Sequence, residues 1–225
     1  MLEKIKEKYK NELEQIIEGL SYGYYEELDQ DNFECEVVDS FKANFKGNFS
    51  YGWDNGASKG VFIFKDFNFV IKIPFTHCDG DPLCGAIDSL YHWDYCGQEA
   101  NRYKIAKNNN LEKVFLQTEF LTNINEHPIY IQCFAEPFSK INIEEHKSST
   151  KADELEIENI AENDSYNYDL INTQWEADVY AVYGRDYYIK LKTFIKEKNI
   201  EDLRTDNIGY IGIYPVILDY AGFDY

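Results

Sequence analysis

Glu201-Asp-Leu-Arg-Thr-Asp-Asn-Ile-Gly209, followed by Pro215-Val-Ile-Leu-Asp-Tyr-Ala-Gly222, is the stretch on which the reading of this chain turns. It supplies Asp202, Asn207 and Asp219 in that order. In phosphoryl transfer an aspartate orients the attacking hydroxyl, while an asparagine and a second aspartate hold Mg²⁺ on the phosphates. Between the last two residues, Ile208-Gly-Tyr-Ile-Gly-Ile-Tyr-Pro-Val-Ile-Leu218 predicts a short hairpin that returns Asp219 to the side of Asn207. Two oxygen donors so placed suit one hard cation. An acidic loop in which Asp219 caps a strand end accounts for the same residues without a metal.

Working upstream, Lys72 lies in Phe69-Val-Ile-Lys-Ile73, a run of strand-forming apolar residues. A strand can hold such an ammonium against phosphates if a carboxylate fixes it, and Glu99 on the following helix is the natural partner. The solvent face of an amphipathic strand is the other reading of Lys72. Before that strand, Asn55-Gly-Ala-Ser-Lys-Gly-Val-Phe62 sets two glycines and a serine between strand signals, either an ordinary hairpin turn or a loop whose backbone N–H groups cover phosphates.

Glycine turn, strand lysine, helix glutamate, Asp-x4-Asn and Asp fall in one order, and over roughly residues 50 to 222 the chain resembles the protein kinase-like superfamily. Within it, the short divergent kinase-like proteins of bacteriophages and prophages are the nearer match. The resemblance implies an α+β, two-lobed protein kinase-like fold with a truncated C-lobe. It divides the chain into an amphipathic helix over 1–30, an N-lobe over 31–136 and a minimal C-lobe over 137–225. It further implies ATP and Mg²⁺ as cofactors, with Gly56, Ala57, Ser58 and Gly60 over the phosphates. Lys72 held by Glu99 would position those phosphates, Cys133 would stand near the hinge at Cys133-Phe-Ala-Glu-Pro137, Asp202 would be the catalytic aspartate, and Asn207 and Asp219 the metal ligands. The wording departs from the family: Ile200-Glu201 replaces the usual His-Arg before Asp202, Gly222 is displaced by one after Asp219, and the loop has only Gly56 and Gly60. The alternative reading is a non-catalytic pseudokinase or acidic interaction protein, phage-encoded and either host-modulating or virion-associated.

Between Lys72 and Glu99 the chain carries Thr76-His-Cys-Asp-Gly-Asp-Pro-Leu-Cys84 and Tyr91-His-Trp-Asp-Tyr-Cys96. Cys78, Cys84, His92 and Cys96, with His77 in reserve, have the types of a tetrahedral Zn²⁺ set. Reduced cysteines packed beneath a helix are the competing reading. Asp79, Asp81 and Asp88 are too irregular for a Ca²⁺ loop. The four histidines, His77, His92, His127 and His146, and the serines form no hydrolase arrangement.

A length of 225 residues with 44% hydrophobic and 16% aromatic content allows a full core. A formal net charge of -19 opposes binding to nucleic acid or to an anionic membrane, and leaves a nucleotide or a basic host or virion protein as partner classes. The charged Met1–Lys10 segment lacks the apolar centre of a signal peptide, and five cysteines are an odd number, so reduced thiols and a cytoplasmic location, a host's if the chain is phage-encoded, are expected.

Leu2, Ile5, Tyr9, Leu13, Ile16, Ile17 and Leu20 recur at helical intervals and predict one amphipathic helix. From Cys35 to Pro74 the texture is that of strands and turns, with a hairpin of 61–64 and 69–73 joined across Lys65-Asp-Phe-Asn68. A helix over 97–109 and strands over 115–121 and 129–135 follow. Residues 144–164 hold eight acidic side chains against two lysines and read as an acidic insertion or linker. The capping-box spacing at Thr173 begins a long helix toward Lys198, which Gly184 weakens in the middle.

Overall fold

The computed structural model describes residues 1–23, 28, 32–53, 59–75, 94–142, 173–198, 200 and 203–220. They form a mixed α+β chain with antiparallel sheets, the class expected from the sequence. The chain divides into two compact units, Met1–Asn101 with Gln117–Phe134, and Arg102–Leu116 with Ala135–Tyr225.

The first unit is built on a five-stranded sheet. Its strands are β1 (Ser50–Trp53), β2 (Lys59–Phe64), β3 (Phe69–Pro74), β4 (Thr118–Ile124) and β5 (His127–Cys133), in the order β1-β2-β3-β5-β4. The predicted hairpin is β2–β3, with Val61 opposite Lys72 and Phe64 opposite Phe69. Its connection closes on Asn68 at φ 58, a left-handed conformation that asparagine tolerates well. The β4–β5 hairpin turns on Asn125 and Glu126, both at positive φ, as a two-residue turn matched to strand twist requires. Against the predicted strands at 115–121 and 129–135, β4 starts and ends three residues later and β5 two residues earlier.

Every residue of β3 is buried, so both faces of this central strand are covered. One face carries Phe69, Ile71 and Ile73 beside Phe62 and Phe64 of β2, joining an aromatic core with Phe33, Phe41 and Phe45. The rings of Phe41 and Phe62 lie 4.9 Å apart in an edge-to-face arrangement, a favoured aromatic geometry. The other face is polar and is described below.

Three expectations are corrected here. The N-terminal helix is two segments, α1 (Leu2–Lys8) and α2 (Lys10–Leu20), bent at Tyr9, where φ is -114 and ψ is 33. Backbone hydrogen bonds continue through the bend, and the Tyr9 ring rests on Phe67 with 5.2 Å between centroids. Residues 35–44, expected among strands and turns, are helical: a π-helical stretch Phe33–Val38 runs into α3 (Asp39–Asn44). Phe33, Val37, Val38 and Phe41 are all fully buried at helical spacing, and that period outweighs the β-branched composition. The long helix beyond 173 is likewise two, α5 (Thr173–Tyr183) and α6 (Arg185–Glu197). Gly184 between them has φ 89 and ψ 163, a region open in practice to glycine alone.

Helix α4 (Tyr95–Asn108) gives its first half to the first unit and its second half to the second. The second unit pairs β6 (Glu136–Pro137), β7 (Ile208–Ile211) and β8 (Tyr214–Ile217) in that order. Trp175, Val179, Tyr188, Leu191, Phe194 and Ile208 lie in its core. A side chain at Gly209 would run into the Glu136 carbonyl, so β6 and β7 approach as closely as they do only because this position has no Cβ. Two carboxylates in this core are hydrogen-bonded: Glu176 accepts from Tyr188 Oη at 2.9 Å and Lys192 Nζ at 3.0 Å, and Asp178 accepts from Tyr210 Oη at 2.6 Å.

Candidate functional site

Strand alternation decides which side chains share a face of the five-stranded sheet. Lys59 and Val61 on β2, Val70 and Lys72 on β3, Tyr130 and Gln132 on β5, and Thr118 on β4 fall on the face opposite the aromatic core, as the register shows. Glu99, from the second turn of α4, meets this polar face and is completely buried. Its aim begins at Asp94, whose carboxylate accepts from Gly97 N at 2.8 Å and so caps the helix. The same carboxylate accepts from the Tyr130 hydroxyl on β5, tying the start of α4 to the sheet. Burial first and Asp94 second push the Tyr130 phenol well above its ordinary pKa, so it stays protonated as the donor.

Lys72 Nζ donates to Glu99 Oε2 at 2.7 Å, and Lys72 is 4% exposed. The buried reading of this lysine, rather than the solvent-facing one, describes the fold. Lys59 Nζ donates to the other carboxylate oxygen, Oε1, at 3.1 Å. Thr118 Oγ1 donates to Oε2 at 2.9 Å and accepts from Gln132 Nε2 at 2.8 Å. Two ammonium groups and a hydroxyl from three strands thus converge on one helix carboxylate. Removing the Glu99 carboxylate would take away the opposite charge of both buried ammonium groups, a change of a kind that costs about 3–5 kcal/mol.

Lys59, Thr118 and Gln132 are the residues that sequence reasoning missed. The signal for Lys59 is its alternation with Val61 and Ile63, which puts it on the same face as Lys72 once the β2–β3 register is known. In the sequence it reads as part of the glycine turn. Of that turn, Gly60 stands inside β2 opposite Ile73, where an added Cβ would strike the Phe33 ring. Gly60 therefore has a packing reason to be glycine. Gly56, Ala57 and Ser58 lie outside the described residues.

In the second unit, the β7–β8 hairpin expected from the sequence is present, with Ile208 opposite Ile217 and Gly212 turning it at φ 62. Asn207 is 3% exposed, and its carbonyl accepts from Leu218 N at 2.8 Å and Asp219 N at 3.3 Å. The two predicted metal ligands are consequently neighbours through the backbone. Asp219 is held from both sides: Ile217 N donates to Val114 O at 2.7 Å, and Tyr220 Oη donates to Leu116 O at 2.6 Å. Arg102 Nη1 completes the clamp by donating to Tyr220 O at 2.6 Å. Asn207 and Asp219 carry an amide oxygen and a carboxylate, the donor types that Mg²⁺ accepts. Asp202 lies outside the described residues, between Ile200 and Leu203, which are buried at 2% and 1% exposure.

Cys133 ends β5 opposite Phe69, and burial pushes its thiol up to about 11. The chain passes from one unit to the next between Phe134 and Ala135, within the expected hinge segment. Cys96, in the first turn of α4, is buried, and its thiol is driven well above its ordinary value by burial first and by the Glu99 carboxylate second. Cys78, Cys84, His77 and His92 lie outside the described residues, as does the acidic stretch 144–164. Among the described residues no group of three or more His, Cys, Asp or Glu is arranged to hold a metal, and no helix is long and apolar enough to cross a membrane.

Comparison with models of known protein families, with curated proteins and with solved structures finds no match.

Proposed function

We propose that the chain binds ATP with Mg²⁺ in the manner of a kinase-like protein and transfers the γ-phosphate to a hydroxyl acceptor. Lys72 positions the phosphates, Glu99 holds Lys72, Asn207 and Asp219 supply oxygen ligands to the cation, and Asp202 orients the acceptor hydroxyl. The observation that carries this reading is the buried ion pair between a central-strand lysine and a helix glutamate. A lysine is rarely placed in a core, and here it costs desolvation that a leucine would avoid. A functional demand for a fixed ammonium group accounts for it. The adjacent backbone positions of Asn207 and Asp219 supply independent support from the second unit.

The test is thermal denaturation with and without ATP and Mg²⁺. A ligand present at a hundred times its Kd adds about 2.7 kcal/mol, a rise in Tm of roughly 5–10 °C for a chain of this size. Lys72→Met and Asp219→Asn are each expected to remove most of the rise while leaving a folded protein. No rise in the native chain at millimolar nucleotide refutes the proposal. A rise without labelled phosphate appearing on any acceptor, or as free phosphate, confines the function to binding and favours the pseudokinase alternative.

A further inference from the structure

Glu99 has two lysines and not one, and they are divided between its oxygens. Lys59 holds Oε1, while Lys72 and the Thr118 hydroxyl hold Oε2. A Lys72 ammonium that also donates to a phosphate divides its N–H donors between that anion and Glu99. In a site with a single lysine that division leaves a buried carboxylate less fully compensated, a penalty in a low-dielectric setting. Here Lys59 stays on Oε1 and Thr118 stays on Oε2, itself oriented by Gln132.

Resting on the nucleotide-binding reading above, we propose that Lys59 is a positioning residue of the phosphate site. It keeps the Glu99 carboxylate compensated and in place while Lys72, still held by Glu99, also donates to the phosphates. Lys59 is suited to the task by its position at the start of β2, opposite Pro74 and 3% exposed, where the strand fixes its stem and burial restricts its head group. The role proposed for Lys59 is to act through Glu99 and not by contact with the ligand.

The experiment measures ATP affinity, with Mg²⁺ present, for the full chain and for Lys59→Met, Lys59→Arg, Glu99→Gln and the Lys59→Met/Glu99→Gln double variant. Lys59→Met is expected to weaken binding about tenfold, one lost contact of roughly 1.4 kcal/mol. Lys59→Arg, which keeps the charge, is expected to restore most of that loss. The double variant is expected to bind no worse than Glu99→Gln alone, because a neutral amide needs no compensating cation. Multiplying losses in the double variant overturn the proposal, since Lys59 would then act independently of Glu99. Native-like affinity in Lys59→Met overturns it as well and leaves the nucleotide reading standing. No ATP binding by the native chain overturns both. Should Lys59→Met fail to fold, Lys59→Gln, which keeps a hydrogen-bond donor on the carboxylate without the charge, takes its place: weakened binding supports the proposal and native-like affinity overturns it.

Discussion

Replacing Gly60 by alanine separates two accounts of one residue, packing in the sheet and contact with a phosphate. The added Cβ would meet three carbons of the Phe33 ring, one at 2.7 Å and two closer still. Carbon atoms at rest stand about 3.5–4.0 Å apart, so the ring must withdraw by well over 1 Å. It has nowhere easy to go: Phe33 is fully buried, with Phe62 and Phe75 each 5.5 Å away by ring centroid. Overpacking of this kind costs about 1–3 kcal/mol, and the lower chain entropy of alanine in the unfolded state returns about 0.4–1 kcal/mol. The net expectation is a loss of about 1–2 kcal/mol, a fall in Tm of roughly 2–8 °C. Thermal unfolding without ligand, followed by near-ultraviolet circular dichroism, reads it directly. Phe33→Leu makes room, so Gly60→Ala is expected to cost less than half as much in that background. Unchanged stability in Gly60→Ala, or the same loss with and without Phe33→Leu, refutes the packing account. Unchanged stability with loss of the ATP-dependent rise would identify Gly60 as a ligand-contact glycine.

Gly184→Ala forces a side chain onto φ 89 and ψ 163, and is expected to lower stability by about 1–3 kcal/mol in urea titration even though open space surrounds the site; an unchanged midpoint contradicts the conformational cause. Alkaline pH is expected to destabilise the fold. The Cys133 thiol, near 9 in an ordinary setting, is held at about 11 by burial, so the unfolded chain releases this proton first and stability falls as pH rises from about 9 to 11. Burial raises the phenols of Tyr130, Tyr183, Tyr187 and Tyr210 in the same direction, adding to that loss. A Tm that is flat across that range contradicts it. Peptide mapping after brief alkylation at pH 8 is expected to find Cys35 labelled and Cys96 and Cys133 protected, following exposure and thiolate content; equal labelling of all three would contradict the burial.

Local and periodic features were legible in the sequence. The β2–β3 hairpin is written in alternation and in a turn ending on Asn68, and the β7–β8 hairpin in Gly212 between two apolar runs. The pairing of Lys72 with Glu99 was legible for a different reason: a charged residue inside an apolar strand demands an opposite charge, and the next helix offers one. Period and composition conflicted at 33–44, where Phe, Val and Cys suggest strand while the spacing of Phe33, Val37 and Phe41 is helical. Packing on the aromatic face of the sheet decided for helix.

By itself, then, the order of residues determined the α+β class, the two hairpins and the chemical types that a phosphate and metal site would need. The tertiary structure alone decided that Lys59 joins Lys72 on the Glu99 carboxylate. Nothing within the Gly-Ala-Ser-Lys-Gly turn distinguishes it from a solvated lysine. Only the register of β2 against β3 sets it on the face of Lys72, and only the capped start of α4 brings Glu99 within 3.1 Å of its ammonium. A charge buried by a partner 40 residues away is a property of strand pairing and helix docking. Local sequence specifies the strand's alternation but not which neighbour that alternation will face.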